Sequence, residues 1–271
     1  MYTLTASPER SSLRETVEAV WWRLPIIGAN VPVTLTAPPA VRLPSIRARE
    51  KPRAVSVREL RSLRSDFFDA LAADDLAALG SAMLKRSYPA GQIVLLEGAA
   101  SSVLYVVQAG RLKLFKTSPR GREQVLRLLR PGDMFNEVAV FDEGPNPASA
   151  QAIEDCTLYL LRRRDLLRFV SQRPGVALAI TRTFAGRLRE ALALVEDLAF
   201  RDVTSRLAKI LLEGPDSAPR LTQELLAAMA GSRREVVGRA LKALSQDGAV
   251  KLERGRIHVR DRQALEHLAW M

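Results

Sequence analysis

Four charged residues crowd a short stretch just beyond a glycine: Arg233, Arg234, Glu235 and Arg239, following Gly231. A guanidinium presents two parallel donors that match the O6 and N7 acceptors of guanine, and a carboxylate accepts from the amino group of cytosine. The surrounding segment, Leu221 to Leu244, supplies a mount for such a reader. Thr222 can cap a first helix running through Leu225, Leu226 and Met229, Gly231 can turn the chain, and Ser232 can cap a second helix. Val236, Val237, Ala240, Leu241 and Leu244 then fall on the inner face of that second helix. Its exposed N-terminal part is where a recognition helix meets base edges. A β-hairpin pattern follows, Ala249–Glu253 and Ile257–Val259, with the cations Arg254 and Arg256 at its tip to reach phosphates. A generic amphipathic hairpin would scatter its cations, whereas here they gather at the turn. Residues 220–262 carry ten Lys and Arg against five Asp and Glu. The pattern is that of a winged helix-turn-helix on double-stranded DNA.

The whole chain agrees. Its 271 residues hold 41 Lys and Arg against 30 Asp and Glu, a formal charge of +11 that calls for a polyanionic partner, nucleic acid or, less often, an anionic membrane surface. A hydrophobic share of 47% excludes wholesale disorder, collagen-like repeats and a disulfide-stapled scaffold. The single cysteine, Cys156, cannot form an internal disulfide, an iron–sulfur cluster or a structural zinc site. His258 and His267 are the only histidines, which argues against a multi-histidine metal centre. Trp21–Ile27 is apolar but is cut by Arg23 and Pro25, with no basic region before it to make a signal peptide. No apolar stretch reaches the ~18 residues of a membrane span, so a soluble, cytoplasmic protein is expected. No Ser-His-Asp set, paired-carboxylate arrangement or glycine-rich phosphate loop stands out, and no enzyme is expected.

The elements that must position the reader can be traced along the chain. Residues 1–64 hold seven prolines and a basic run around Arg42–Arg53. They read as a disordered extension, either a solvated tail or a basic arm on DNA, with a short helix near Leu13–Trp22. Residues 65–173 begin with a small helical element, with Asp74 as its N-cap, and then switch to short β-type runs. The runs are Ile93–Leu96, Val103–Val107, Leu112–Phe115, Val125–Leu129 and Thr157–Leu161, punctuated by Gly91, Gly98, Gly110, Gly121, Gly132 and Gly144. Such spacing predicts an antiparallel sandwich or barrel. Residues 174–201 form a long helix whose stripe, Ile180, Phe184, Leu188, Ala191, Val195 and Leu198, steps by fours and threes. That stripe reads as a dimer seam, or else as a face laid on its own β-domain, with Arg187, Arg189, Glu190 and Glu196 as solvated flanks. Residues 202–271 complete the DNA-binding domain, opening with an amphipathic stretch from Val203 to Leu212 that stops at Gly214-Pro215. The fold class is α+β.

This order resembles the cyclic-AMP receptor protein/FNR (Crp/Fnr) family of bacterial transcription regulators, from about Phe67 to His258. The strings that carry the resemblance are Tyr88-Pro89-Ala90-Gly91-Gln92, Arg130–Glu137, Leu198–Val203 and Arg234-Glu235-Val236-Val237-Gly238-Arg239. The resemblance implies a cyclic-nucleotide-binding-like jelly-roll (β-roll) sensor domain, a homodimer and RNA polymerase as a partner. Arg234, Glu235 and Arg239 then stand where the family reads the G and C pairs of a TGTGA-type half-site, and Thr222 and Arg233 match phosphate-contacting positions. A symmetric dimer is expected to bind an inverted repeat.

The sensor departs from that pattern. The family's nucleotide cassette pairs Gly-Glu with Arg-Ser or Arg-Thr; here Glu137 follows Asn136, and Pro147-Ala148 holds the Arg-Ser place. No arginine lies between Arg130 and Arg162, and the base-facing helix positions carry Ala191 and Leu192. A cyclic phosphate buried without its cation is strongly disfavoured, so tight cyclic-AMP binding is not expected. An iron–sulfur cluster lacks its cysteines. Haem lacks a sensor histidine, leaving only Cys156 or a methionine, so no cofactor is expected. The candidate effector pocket is lined by Phe135, Asn136, Glu137, Val138, Pro147 and Ala148, facing Leu188, Ala191, Leu192 and Val195; the same residues read equally as packed core. A rival reading, a cyclic-nucleotide-like ligand sensor acting through protein contacts, is opposed by the intact recognition helix.

Overall fold

Two runs of the sequence are so continuously apolar that both faces of their strands must be covered: Val103–Ala109 and Cys156–Arg162. A computed structural model describes residues 55–214, 221–253 and 256–270, all within one compact unit, Leu43–Met271. It opens with three short helices, α1 (Val57–Ser62), α2 (Asp66–Asp69) and α3 (Ala73–Ala82). The β-domain follows as β1 (Leu84–Tyr88), β2 (Ile93–Leu95), β3 (Val103–Ala109), β4 (Leu112–Thr117), β5 (Glu123–Leu129), β6 (Met134–Phe135), α4 (Glu137–Asp142), β7 (Ser149–Ala152) and β8 (Cys156–Arg162). Then come α5 (Arg163–Gln172) and the long α6 (Pro174–Phe200). The C-terminal part is α7 (Val203–Glu213), α8 (Gln223–Met229), α9 (Arg234–Gln246), β9 (Val250–Glu253), β10 (Arg256–Val259) and α10 (Arg262–Ala269).

The strands make two four-stranded antiparallel sheets, ordered β1-β8-β3-β6 and β2-β7-β4-β5. The alternation of β3 and β8 divides two cores between the faces of the first sheet. Val103, Tyr105, Val107, Leu158 and Leu160 point between the sheets and pack with Leu95, Leu112, Leu129 and Phe135. Leu104, Val106, Tyr159 and Leu161 point outward and are covered by Leu60, Phe68, Leu79, Leu166, Val176 and Ile180 from the helices. Gly110 turns the chain with φ +81°, and a Cβ there would meet Asp155 O at 2.3 Å. The hairpin therefore needs glycine for space as well as conformation.

Several expectations move. The fold begins upstream of residue 64, because α1 is a capped helix within it. Ser56 Oγ accepts from Glu59 N while the Glu59 carboxylate accepts from Ser56 N, and Leu60 is fully buried. A Ser-x-x-Glu capping box was the signal for it. The short helix near Leu13–Trp22 lies outside the described residues. Ala72, not Asp74, occupies the N-cap of α3, and Asp74 stands in the first turn, where its charge suits the positive end of the helix. Strands β1 and β7 went unread because Lys85, Arg86 and Ser87 or small residues interrupt their apolar pattern.

The long helix starts at Pro174 as expected, with proline at a first-turn position that needs no backbone donor. Its stripe is split. Ile180 is buried in its own domain and Phe184 packs edge-on against Phe141 at 5.6 Å, so neither belongs to a seam. Leu198 is directed toward the turn at Gly231. The exposed apolar residues of α6 include Leu178, Ala185, Leu188, Leu192 and Val195, spaced by seven, three, four and three, with Ala191, Leu198 and Phe200 also exposed. A stripe stepping by four, four and three drifts around the helix, whereas strict sevens stay on one side.

Candidate nucleic-acid interface and the sensor interior

The winged unit has its own core, formed by Leu207, Leu211, Leu226, Val237, Leu241, Leu244, Val250 and Leu265. Val237, Ala240, Leu241 and Leu244 put one face of α9 into that core and leave the other to solvent. Thr222 caps α8, its Oγ1 accepting from Leu225 N at 3.1 Å. Gly231 turns the chain with φ +62°, as its place between two helices requires. Ser232 does not cap the second helix. Its backbone N–H closes back on Ala227 O at 2.9 Å, and Arg233 takes the N-cap position without a side-chain bond. The positive end of α9 is thus left open, with an arginine beside it, which suits a phosphate.

Arg233, Arg234, Glu235 and Arg239 are all exposed, and among the described residues none takes part in an ion pair or side-chain hydrogen bond. The wing is the antiparallel pair β9–β10, with Arg256 opposite Glu253 and exposed at its tip. Arg254 lies outside the described residues. α10 completes the unit by packing on α7; its signal was Asp261, whose carboxylate accepts from Ala264 N at 2.9 Å.

The linkage to the β-domain is specific. Asp202 caps α7 by accepting from Ser205 N at 2.7 Å, and that bond holds its carboxyl below the usual aspartate range. Arg206 Nε donates to Ala230 O at 2.8 Å, covering the C-terminal end of α8. From the β-domain, Gln124 Nε2 donates to Met229 O at 3.3 Å. A Cβ on Gly231 would come within 2.7 Å of Gln124 Oε1 and 2.8 Å of Leu198 Cδ2, so the turn and strand β5 meet closely.

The expected effector pocket is not assembled. Phe135 is buried between the sheets and stacks on Tyr105 at 5.0 Å. Ala148 is buried and Pro147 exposed, with no cation at either place. Leu188, Ala191 and Leu192 face away from the domain to solvent. Asn136 stands in for the family's glycine because its φ of +70° is a left-handed conformation that asparagine tolerates, and its Nδ2 donates to Val103 O at 3.0 Å. A shallow recess, with room for little more than one water, lies on the outer side of the first sheet, lined by Leu104, Met134, Glu137, Phe141, Ile180, Thr183 and Phe184. Of the expected lining only Glu137 reaches it.

What the structure brings together instead is an ion cluster. Arg127 Nη2 meets Asp133 Oδ1 at 2.6 Å and Arg127 Nε meets Glu190 at 3.3 Å. Arg187 lies 3.1 Å from Glu190, 3.5 Å from Glu137 and 3.7 Å from Asp133. Arg187 is therefore an inward residue with a side chain only 22% exposed, not a solvated flank. Burial pushes the Glu137 carboxyl up, against the pull of Arg187 and Arg127. Burial likewise lowers Arg127, partly offset by Asp133. Arg127 carried a signal, as a lone charge inside the apolar run Val125–Leu129; nothing local marked Arg187. Arg127 and Arg187 between them hold three carboxylates, and Pro147-Ala148 carries no cation.

Comparison with known proteins agrees with this architecture. Residues 85–173 match a cyclic nucleotide-binding domain, and residues 205–268 match a Crp-like helix-turn-helix domain. The chain is 37% identical over 210 residues to the cyclic AMP receptor protein of Thermus thermophilus, covering 76% of this chain and 97% of the relative. It is 31% identical over 217 residues to a CRP-like cAMP-activated global transcriptional regulator of Mycobacterium tuberculosis, again covering 76% and 97%. Among solved structures, FixK2 from Bradyrhizobium japonicum superposes with a TM-score of 0.62 at 26% identity, over 69% of this chain and 96% of that one.

Proposed function

The chain belongs to the Crp/Fnr family of transcription regulators, and from that premise we propose that it acts as a homodimer on an inverted repeat of TGTGA-like half-sites. Arg234, Glu235 and Arg239 read the base edges, while Thr222, Ser232, Arg233, Arg254 and Arg256 hold the backbone. The observation that carries this reading is the exposed, unpaired set of side chains at the start of α9, fixed by a packed winged unit. Side chains with no internal partner on a rigid mount are already poised for base edges.

The dimer is supported by the apolar stripe of α6. Leu188, Leu192 and Val195 are each about 60% exposed, on a helix of 27 residues. Three large aliphatic side chains at heptad spacing are costly to leave in water and match the seam of a two-helix coil. RNA polymerase is proposed as the protein partner, in the cytoplasm. Among the described residues no helix is long and apolar enough to cross a membrane.

Cyclic AMP, which the Thermus and Mycobacterium relatives carry in their names, is not proposed as the effector here. The missing cation at Pro147-Ala148 and the self-paired arginines Arg127 and Arg187 support that reading. Fluorescence anisotropy on an inverted-repeat duplex and a scrambled duplex, with and without cyclic AMP, tests the whole proposal. Preference for the inverted repeat, unchanged by the nucleotide and abolished by Leu188→Glu with Leu192→Glu, is expected. Equal binding to both duplexes would refute the regulator reading, and a cyclic-AMP-dependent gain would refute the effector reading.

A further inference from the structure

The β4–β5 hairpin has a tip that the sensor fold does not use. Its turn, Ser118-Pro119-Arg120-Gly121-Arg122, is closed by Gly121 N donating to Ser118 O at 2.8 Å and Arg122 N donating to Ser118 Oγ at 3.0 Å. The lysines nearer the sheet are neutralised: Lys113 pairs with Glu123, and Lys116 with Glu97 at 2.8 Å. Arg120 and Arg122 are exposed and take part in no ion pair among the described residues.

The place of this tip matters more than its charge. Gln124, two residues beyond Arg122, is the residue that donates to Met229 O and approaches Gly231. Two residues of extended chain cover about 7 Å, roughly the reach of one arginine side chain. The tip therefore lies close to the turn at Gly231 that precedes α9. The exposed tip residues are Pro119, Arg120, Gly121 and Arg122, with no aromatic or large aliphatic anchor among them. Unpaired guanidiniums beside a turn that presents a recognition helix are placed for the phosphates that flank the bases it reads.

We propose that Arg120 and Arg122 form a second DNA-backbone contact, by which the sensor domain itself grips phosphates flanking the half-site read by α9. This rests on the DNA-reading assignment above. The contact is blind to sequence and adds affinity without discrimination. It also makes DNA binding depend on how the β-domain is seated against the winged unit, since the cations are on one and the bases are read by the other.

The full chain is titrated by anisotropy onto two duplexes of equal length, one with the inverted repeat and one scrambled, over a series of salt concentrations. Arg120→Ala with Arg122→Ala, which removes two cations from each protomer of the dimer, is expected to weaken binding to both duplexes at least about tenfold near 0.1 M salt, and to reduce the salt slope by nearly four. Arg164→Ala with Arg168→Ala, an equal loss of charge from exposed positions on α5, is expected to change affinity less than twofold. An unchanged slope in the hairpin variant, or an equal loss in the α5 variant, overturns the contact. Unchanged DNA affinity with reduced transcription by added RNA polymerase also overturns it, assigning the tip to a protein. A wild-type chain that prefers neither duplex refutes the regulator reading instead, while the comparison of slopes remains readable on either duplex.

Discussion

Arginine does opposite work at two ends of this molecule. In α9, Arg233, Arg234 and Arg239 are exposed and unpaired among the described residues. In the β-domain, Arg127 and Arg187 are drawn inward and shared among Asp133, Glu137 and Glu190. A guanidinium whose donors are unspent is available to an outside partner; one whose donors are spent holds the fold together. The two domains match two halves of one family, and their arginines are unpaired in the DNA-reading half and internally paired in the other.

That contrast breaks most readily at Arg187. Arg187→Ala strips the buried Glu137 and Asp133 of a shared cation and removes one of the ties between α6 and the β-domain. About 2–3 kcal/mol of stability is expected to go, less than a fully buried pair because water still reaches the edge of the cluster. Thermal or urea denaturation measures it, and an unchanged midpoint would mean that the cluster is ornamental. At the other end, Arg234→Ala is expected to lower discrimination at one base pair by about 1–3 kcal/mol and to leave stability within ~0.5 kcal/mol. Competition binding against duplexes altered at single positions reads the first quantity, and a fall in melting temperature would blur the distinction between the two sets. Asp202→Ala, which removes the cap at the junction of the two regions, is expected to cost about 1 kcal/mol at neutral pH. Because the Asp202 pKa is depressed in the fold, that cap is fully present above the ordinary aspartate value and is lost as pH falls through the depressed one. The stability gap between the variant and the parent should therefore close in acid.

The smallest effect concerns Glu137, whose pKa burial raises. The raised value means that the folded state takes up a proton, so its contribution to stability is fully present below the ordinary glutamate value and is lost as pH rises through the elevated one. Glu137→Gln is expected to remove that slope above the ordinary glutamate value. Denaturation midpoints across that window measure it, and parallel curves for the two proteins would show that the carboxyl does not titrate there.

Much of the architecture was legible because the relevant signals are local. The unbroken apolar run in β3, the glycines before hairpins, proline at the start of α6 and the Thr222 cap each act within a few residues of themselves. The recognition face was legible for the same reason: the inward residues of α9 fix by helical period which of its neighbours must face water. The seam on α6 was half legible. Its apolar content was plain, but the choice of Ile180 and Phe184 for the interior came from the helices and sheet that cover them. The effector pocket was left open by the sequence: Phe135 stacks inward on Tyr105, as packed core, while Leu188, Ala191 and Leu192 are exposed.

By itself the sequence determined the order of the domains, the helix-turn-helix with its wing, and the absence of a cation at Pro147-Ala148, since each is a matter of residue type at short range. Only the tertiary structure decided which arginines are spent and which remain available. Arg127 is 60 residues from Arg187 in the chain, and an ion pair depends on a distance of a few ångströms that only folding sets. The same holds for the seating of the β4–β5 hairpin beside the turn at Gly231: no local rule brings Gln124 to Met229, and the packed cores on either side do.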